Sequence, residues 1–173
     1  MKTFKTLSLA LLPAAITLGI VATDAAAQPA APLTVQVYNA DGASFHVNAV
    51  LVAGKTDAVL LDTGFTRADA LRIAAMVLDS KKTLKTVYIS QADPDYYFGI
   101  EVIRQYFPDA KVVTTAPTLK KIEATLATKL QVWGPRMGAN APKSVPLPEP
   151  LSGNTISLEG QTLEIRGLDD SLP

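Results

Sequence analysis

The chain has 173 residues, 48% hydrophobic and 18% charged, which suits one folded domain with a real core and argues against a disordered chain. Its 16 basic and 16 acidic residues cancel, which argues against the clustered positive charge that nucleic acid or an anionic membrane surface requires. With no cysteine and one histidine, His46, it cannot build a disulfide framework, a thiolate metal site or a site of several imidazoles from its own residues.

At the amino terminus, Lys2 and Lys5 precede an apolar run over residues 7–21, and Ala25-Ala26-Ala27 follows. This order is that of a secretory signal peptide, with cleavage expected before Gln28. A transmembrane anchor is the alternative, disfavoured by the short run and the small-residue site behind it. The expected organisation is a signal peptide over 1–27, a flexible lead-in over 28–32 and a single domain over 33–173. The expected location is the periplasm or the exterior, with no stable membrane span after cleavage.

Residues 33–38 alternate Leu33, Val35 and Val37 with Thr34 and Gln36, the period of a half-buried strand. Asn39-Ala40-Asp41-Gly42 is a predicted turn with Gly42 free to take positive φ. A second strand is expected over 45–52, with Phe45, Val47 and Ala49 on one face. His46 then falls on the opposite face, as an ordinary solvent-side strand residue. The two strands make a hairpin.

After the turn Gly54-Lys55-Thr56-Asp57, the apolar run 58–61 fits a strand covered on both faces. Thr66 is placed to cap a helix, with Asp69 in capping-box position. Ala68, Leu71, Ala75 and Leu78 give an apolar stripe at helical spacing, with Arg67, Arg72 and Asp79 off it. The helix should end near Ser80-Lys81-Lys82. Residues 86–89 form the next buried strand and lead into the acidic turn 90–99. Ile100, Ile103 and Phe107 mark a short helix that Pro108 closes.

Residues 111–114 are a third such strand. A helix starts near Pro117, with the stripe Leu119, Ile122, Leu126 and Leu130 and with Lys120, Lys121 and Lys129 solvated. From 133 to 153, Pro135, Pro142, Pro146, Pro148 and Pro150 alternate with Gly134, Gly138 and Gly153, which predicts a long loop without regular elements, packed down through Trp133 and Met137. Residues 155–165 read as a closing hairpin around Glu159-Gly160. The three central strands should run parallel, so that Asp62, the 90–99 turn and Thr114-Thr115 emerge at one sheet edge.

The strand ending Leu61-Asp62-Thr63-Gly64, the helix and strand after it, and the turn Pro94-Asp95-Tyr96-Tyr97-Phe98-Gly99 together resemble the metallo-β-lactamase-fold hydrolases. The opening hairpin, the strand after Phe107-Pro108-Asp109-Ala110 and the hairpin over 158–165 extend the resemblance to most of residues 33–165. The signature turn of that family is His-x-His-x-Asp-His, whose side chains bind one or two zinc ions. Here Gln91, Asp93 and Tyr96 stand at the three histidine positions, and only Asp95 keeps the family residue. The resemblance gives Asp62 a structural hydrogen-bonding role, with Gly64, Tyr96 and Gly99 at the edge of the site.

On this alignment Gln91, Asp93 and Asp95 are the candidate metal ligands and Asp95 the candidate catalytic group. The resemblance implies zinc, whereas an all-oxygen donor set suits Mg²⁺ or Mn²⁺ better, or no metal at all. For Asp93 and Asp95 a helix amino-terminal cap is the competing role.

The family fold is an αβ/βα sandwich of two similar halves with the metal between them, and this chain matches the first half. The expected fold class is therefore α/β, the αβ half of such a sandwich, with a mixed sheet, helices on one face and an incomplete domain. Its other apolar sheet face would be left uncovered, open to a second copy in a homo-oligomer. Two functions stay open. One is an exported hydrolase-like protein whose metal-assisted reaction would split a small-molecule ester, lactone or amide. The other is a non-catalytic binding or partner-dependent scaffold derived from that fold.

Overall fold

The computed structural model describes residues 31–167, so the predicted signal peptide lies outside the described residues. The first two strands, β1 (Thr34–Asn39) and β2 (Asn48–Ala53), pair antiparallel as expected for the opening hairpin. Their connection departs from the sequence reading. Asp41 caps a single 3₁₀ turn at Gly42–Ser44 by accepting from the Ala43 amide at 2.9 Å. Phe45 and His46, not Gly42, then take left-handed backbone, with φ of 58° and 56°. The second strand therefore starts at Asn48, and His46 sits exposed in the turn rather than on a strand face.

The remaining elements are β3 (Asp57–Leu61), α1 (Arg67–Asp79), β4 (Thr83–Ile89), the short α2 (Pro94–Tyr97), α3 (Ile100–Tyr106), β5 (Lys111–Thr114), α4 (Ala116–Met137), β6 (Glu149–Pro150), β7 (Thr155–Leu158) and β8 (Gln161–Glu164). Six strands form one sheet in the order β1-β2-β3-β4-β5-β6. The first three neighbours are antiparallel and β3 to β6 run parallel, so the sheet is mixed and its three central parallel strands are those expected. The last pair, β7 and β8, is a separate antiparallel hairpin.

Strand alternation divides the core in two. One sheet face carries Leu51, Leu60, Val87, Ile89 and Val112, packed with Ile73 and Val77 of α1, Ile100 and Ile103 of α3, and Ile122 of α4. All helices thus cover one face. The buried stripe of α1 is Ala70, Ile73, Ala74 and Val77, not the expected Ala68, Leu71, Ala75 and Leu78. Leu71 and Leu78 are 44% and 54% exposed. Both stripes have helical spacing, and the cap decides between them: Asp69 turns inward to bond Ser44 and Tyr38, which carries Ala70 and Ile73 to the core with it.

The opposite face carries Val52, Val59, Tyr88 and Val113, covered by Ile156 and Leu158 of the β7–β8 hairpin with Leu33, Leu151, Leu163 and Ile165 around them. The expectation of a wholly uncovered face is corrected: the hairpin folds back over its centre. Among the described residues the β1 side stays open, where Val35 is 61% and Val37 50% exposed. The predicted proline loop is also revised. Helix α4 runs through Gly134 and Pro135 to Met137, because Thr115 caps its start and Trp133 and Met137 pack on the core. Irregular chain then follows, and Glu149–Pro150 adds a two-residue strand beside β5. No described helix is long and apolar enough to cross a membrane.

Gly99 is where the turn after β3 and the turn after β4 press together. A Cβ on Gly99 would lie 2.0 Å from the Thr63 carbonyl oxygen and 2.8 Å from the Ala70 Cβ. Its φ of −77° is ordinary, so steric closeness alone demands glycine. Gly99→Ala should therefore destabilise the fold by roughly 2–4 kcal/mol, read as a lower urea midpoint at unchanged m-value, because backbone on one side cannot move aside.

Candidate functional site

Strand β3 ends at Leu61, and Asp62 follows it with a φ of 64°, a left-handed conformation uncommon outside glycine. The structure around it holds the residue there. The Asp62 amide donates to the Tyr88 carbonyl at 2.9 Å. Its buried carboxylate accepts from the Ser90 amide at 2.8 Å and the Ser90 hydroxyl at 2.7 Å. Thr63 donates twice to the Tyr96 carbonyl, from its amide at 2.8 Å and its hydroxyl at 3.1 Å. The Gly99 amide donates to the Gly64 carbonyl at 3.2 Å. Asp62-Thr63-Gly64 and the 90–99 turn are thus joined along their length, and Thr114 ties in β5 by donating from its hydroxyl to the Ile89 carbonyl at 2.7 Å.

The carboxylates of the acidic turn have different surroundings. Asp93 stands at the amino-terminal cap position of α2, but its side chain makes no capping hydrogen bond. Instead it meets the Lys129 ammonium of α4 at 3.2 Å. That ammonium also donates to the Ala92 carbonyl and lies 5.9 Å from the centre of the Tyr97 ring. Lys129 was expected in solvent, yet its side chain is only 17% exposed. The missed signal is positional. Lys129 falls seven residues after the buried Ile122 and three after Leu126, on the inward stripe of α4.

Asp95 lies in the first turn of α2, half-buried. Burial raises its carboxyl above the ordinary value, and the charge of Asp93 adds to this. Burial pushes Asp62 up more strongly, to about 7, with Ser90 opposing and the charge of Asp95 reinforcing. Tyr96 feels the same field: burial raises its hydroxyl first, then Asp95, Asp62 and Asp93. Of the expected site residues, Asp62, Asp95, Asp93 and Tyr96 therefore lie within electrostatic reach of one another. Gln91 is exposed beside it.

The donor set does not fit a divalent ion. Asp93 is paired with the Lys129 ammonium, and both Asp62 oxygens accept from Ser90, which is the structural role the resemblance gives that residue. Among the described residues, no three His, Cys, Asp or Glu side chains gather where they could hold a metal. A carboxylate facing an ammonium has lost the net charge that would attract Mg²⁺ or Mn²⁺.

One further residue supports the edge from behind. The Asp69 carboxylate accepts from Ser44 Oγ at 2.6 Å, Tyr38 Oη at 2.7 Å, Thr66 Oγ1 at 2.6 Å and the Thr66 amide at 3.1 Å. Burial pushes its pKa up, but the bonds from Ser44, Thr66 and Tyr38 outweigh this and hold the carboxyl below its ordinary value. The sequence signals the capping box, which forms in full, but not the two long-range partners. Nearby, Phe45, Phe65 and Trp133 pack edge-on or tilted with ring centres 5.3–5.5 Å apart. Phe65 stacks on Phe98 at 6.0 Å.

The raised pKa of Asp62 has a defined sign in a titration. Native Asp62 keeps its proton up to about 7, whereas the unfolded carboxyl loses it near 3.8. The native state therefore binds more protons across that window, and this group's contribution to stability falls as pH rises from 3.8 to 7 and is level above. Asp62→Asn should remove that dependence. The difference in unfolding free energy between the two proteins should change with pH by up to about 1.4 kcal/mol per unit. Denaturant melts of both proteins across the window check this, and parallel curves would contradict it.

No protein-family model and no curated protein matches the chain. Solved structures do. The B3 metallo-β-lactamase BLEG-1 superposes with a TM-score of 0.57 and 15% identity, over 76% of this chain and 59% of that one. The metallo-β-lactamase FEZ-1 from Legionella gormanii gives 0.50 and 18%, over 68% and 45%. A variant of the metallo-β-lactamase from Cronobacter sakazakii with a HARLDQ motif gives 0.50 and 20%, over 68% and 46%. The chain thus spans less than two thirds of the length of each of these proteins. Identities this low speak to the fold alone, and the fold of this chain is that of the metallo-β-lactamases.

Proposed function

We propose that this chain is an exported metallo-β-lactamase-fold protein that acts as a non-catalytic, partner-dependent scaffold. The observation that carries this reading is the Lys129–Asp93 pair. It places a tethered ammonium against the acidic turn, where a hydrolase of this fold would need free ligands for a metal. Export is supported by the charged start, apolar run and Ala25-Ala26-Ala27 of the amino terminus. The exposed strip of Val35 and Val37 on the outer strand β1 supports a partner surface, and a second copy of the chain is the occupant proposed for it.

A second reading is favoured by one specific feature. Burial, reinforced by the charge of Asp95, holds the Asp62 carboxyl near neutrality, which is what a general base requires. On this reading the edge assists hydrolysis of a small ester, lactone or amide, with altered ligands completed from outside the described residues.

Turnover of a panel of aryl esters, lactones and β-lactams separates the two. The scaffold reading predicts the same background rate for the chain and for Asp95→Ala, with Zn²⁺ or Mn²⁺ added or withheld. A metal-dependent rate that falls at least about 100-fold in Asp95→Ala would establish the hydrolase reading instead.

A further inference from the structure

The turn between β2 and β3 is built around a side chain from the far end of the sequence. The amides of Lys55, Thr56 and Asp57 converge on the Glu159 carboxylate at 2.7, 2.6 and 2.8 Å, and the Thr56 hydroxyl adds a fourth bond at 2.8 Å. Successive backbone N–H groups curled in this way form a concave nest for an anion. Gly54 leaves the room: a Cβ there would lie 2.6 Å from a Glu159 carboxylate oxygen. On the other partner, Glu159 and Gly160 take φ of 49° and 79° at the tip of the β7–β8 hairpin, the left-handed pair of a tight two-residue turn. The Lys82 ammonium braces the nest from behind by donating to the Lys55 carbonyl at 2.7 Å. The four donors pull the Glu159 carboxyl down to about 2, although the group is exposed.

The hairpin needs such a fixing point. It forms its own two-stranded sheet and pairs with no strand of the main sheet. A lone two-stranded hairpin is marginal in water. Ile156 and Leu158, with Leu163 and Ile165 beside them, lie on Val52, Val59, Tyr88 and Val113, the Gln161 side chain donates to the Ala31 carbonyl at 2.7 Å, and Glu159 sits in the nest. The last residue of β7 and the clamp are adjacent, so losing the clamp frees the end of the strand that covers the sheet.

We propose that the β7–β8 hairpin is a detachable strap, that Glu159 in the Lys55–Thr56–Asp57 nest is its clamp, and that release of the clamp uncovers the apolar face of Val52, Val59, Tyr88 and Val113. The device is independent of whether the acidic edge catalyses anything. It gives the sheet a second face that is covered or open according to one ion–amide contact, while the helical side of the core stays packed.

Amide hydrogen exchange on the full chain tests this. In Glu159→Gln, the amides of Lys55, Thr56 and Asp57 and those of β7 and β8 should exchange at least tenfold faster, while those of α1 and of Val87 and Ile89 keep their wild-type rates. Faster exchange in the nest alone, with the hairpin unchanged, would overturn the strap. Where Glu159→Gln loosens the whole fold, the wild-type chain in sub-denaturing urea decides. Hairpin amides that exchange through a separate opening, ahead of the core, support the proposal. Hairpin amides that exchange only with global unfolding refute it.

Discussion

The sheet edge where the parallel strands end depends on two turns being held against each other. The link consists of Ser90 on the Asp62 carboxylate, Thr63 on the Tyr96 carbonyl and Gly99 on the Gly64 carbonyl. Parallel strands deliver these turns side by side, but the strands alone would leave buried polar groups unpaired where the sheet stops. Mutual hydrogen bonding satisfies them. It also fixes Asp62 in a backbone conformation that most residues avoid. Gly99 follows as a requirement, since the separation that permits the bonds leaves no space for a methyl group.

Charge at this edge is balanced from within the chain. Burial and crowding disfavour ionised carboxyls at Asp62 and Asp95. The outermost carboxylate, Asp93, meets a lysine carried in from α4. Behind the edge, Asp69 is held by three hydroxyls and an amide, so its charge is solvated by the protein itself. The same fold in a zinc hydrolase would answer this density of negative charge with a metal. Here a side chain supplies the positive charge, and in doing so it fastens the carboxyl half of α4 to the turn.

Much of this was legible in the sequence. Short apolar runs ending in Asp62 and Ser90 mark buried parallel strands, because only covered strands are apolar on both faces. Thr66 with Asp69 marks the start of α1 through chemistry that is local by nature. What could not be read depended on distant partners. The stripe of α1 was ambiguous until Asp69 met Ser44 and Tyr38. Lys129 reads as solvated until the turn it faces is in place. Proline density suggested that no element could persist past Trp133, yet the packing of Trp133 and Met137 carries the helix through Pro135. Glu159 gave no sign of its role, since the nest that receives it lies about a hundred residues earlier.

The two sheet faces also divide the molecule by kind of support. The helical face is closed by large apolar side chains on three helices. The other is covered by a hairpin anchored through Ile156, Leu158 and the Glu159 carboxylate in its nest of amides, and it opens onto exposed valines at β1. On the scaffold reading Lys129 supplies the positive charge at the acidic edge, and no metal is required there. The most direct measurement is the metal content of the purified protein together with its melting temperature before and after exhaustive chelation. The account predicts no stoichiometric divalent ion and an unchanged melting temperature. A bound ion at one equivalent, with a melting temperature that falls on chelation and recovers when the ion is returned, would contradict it.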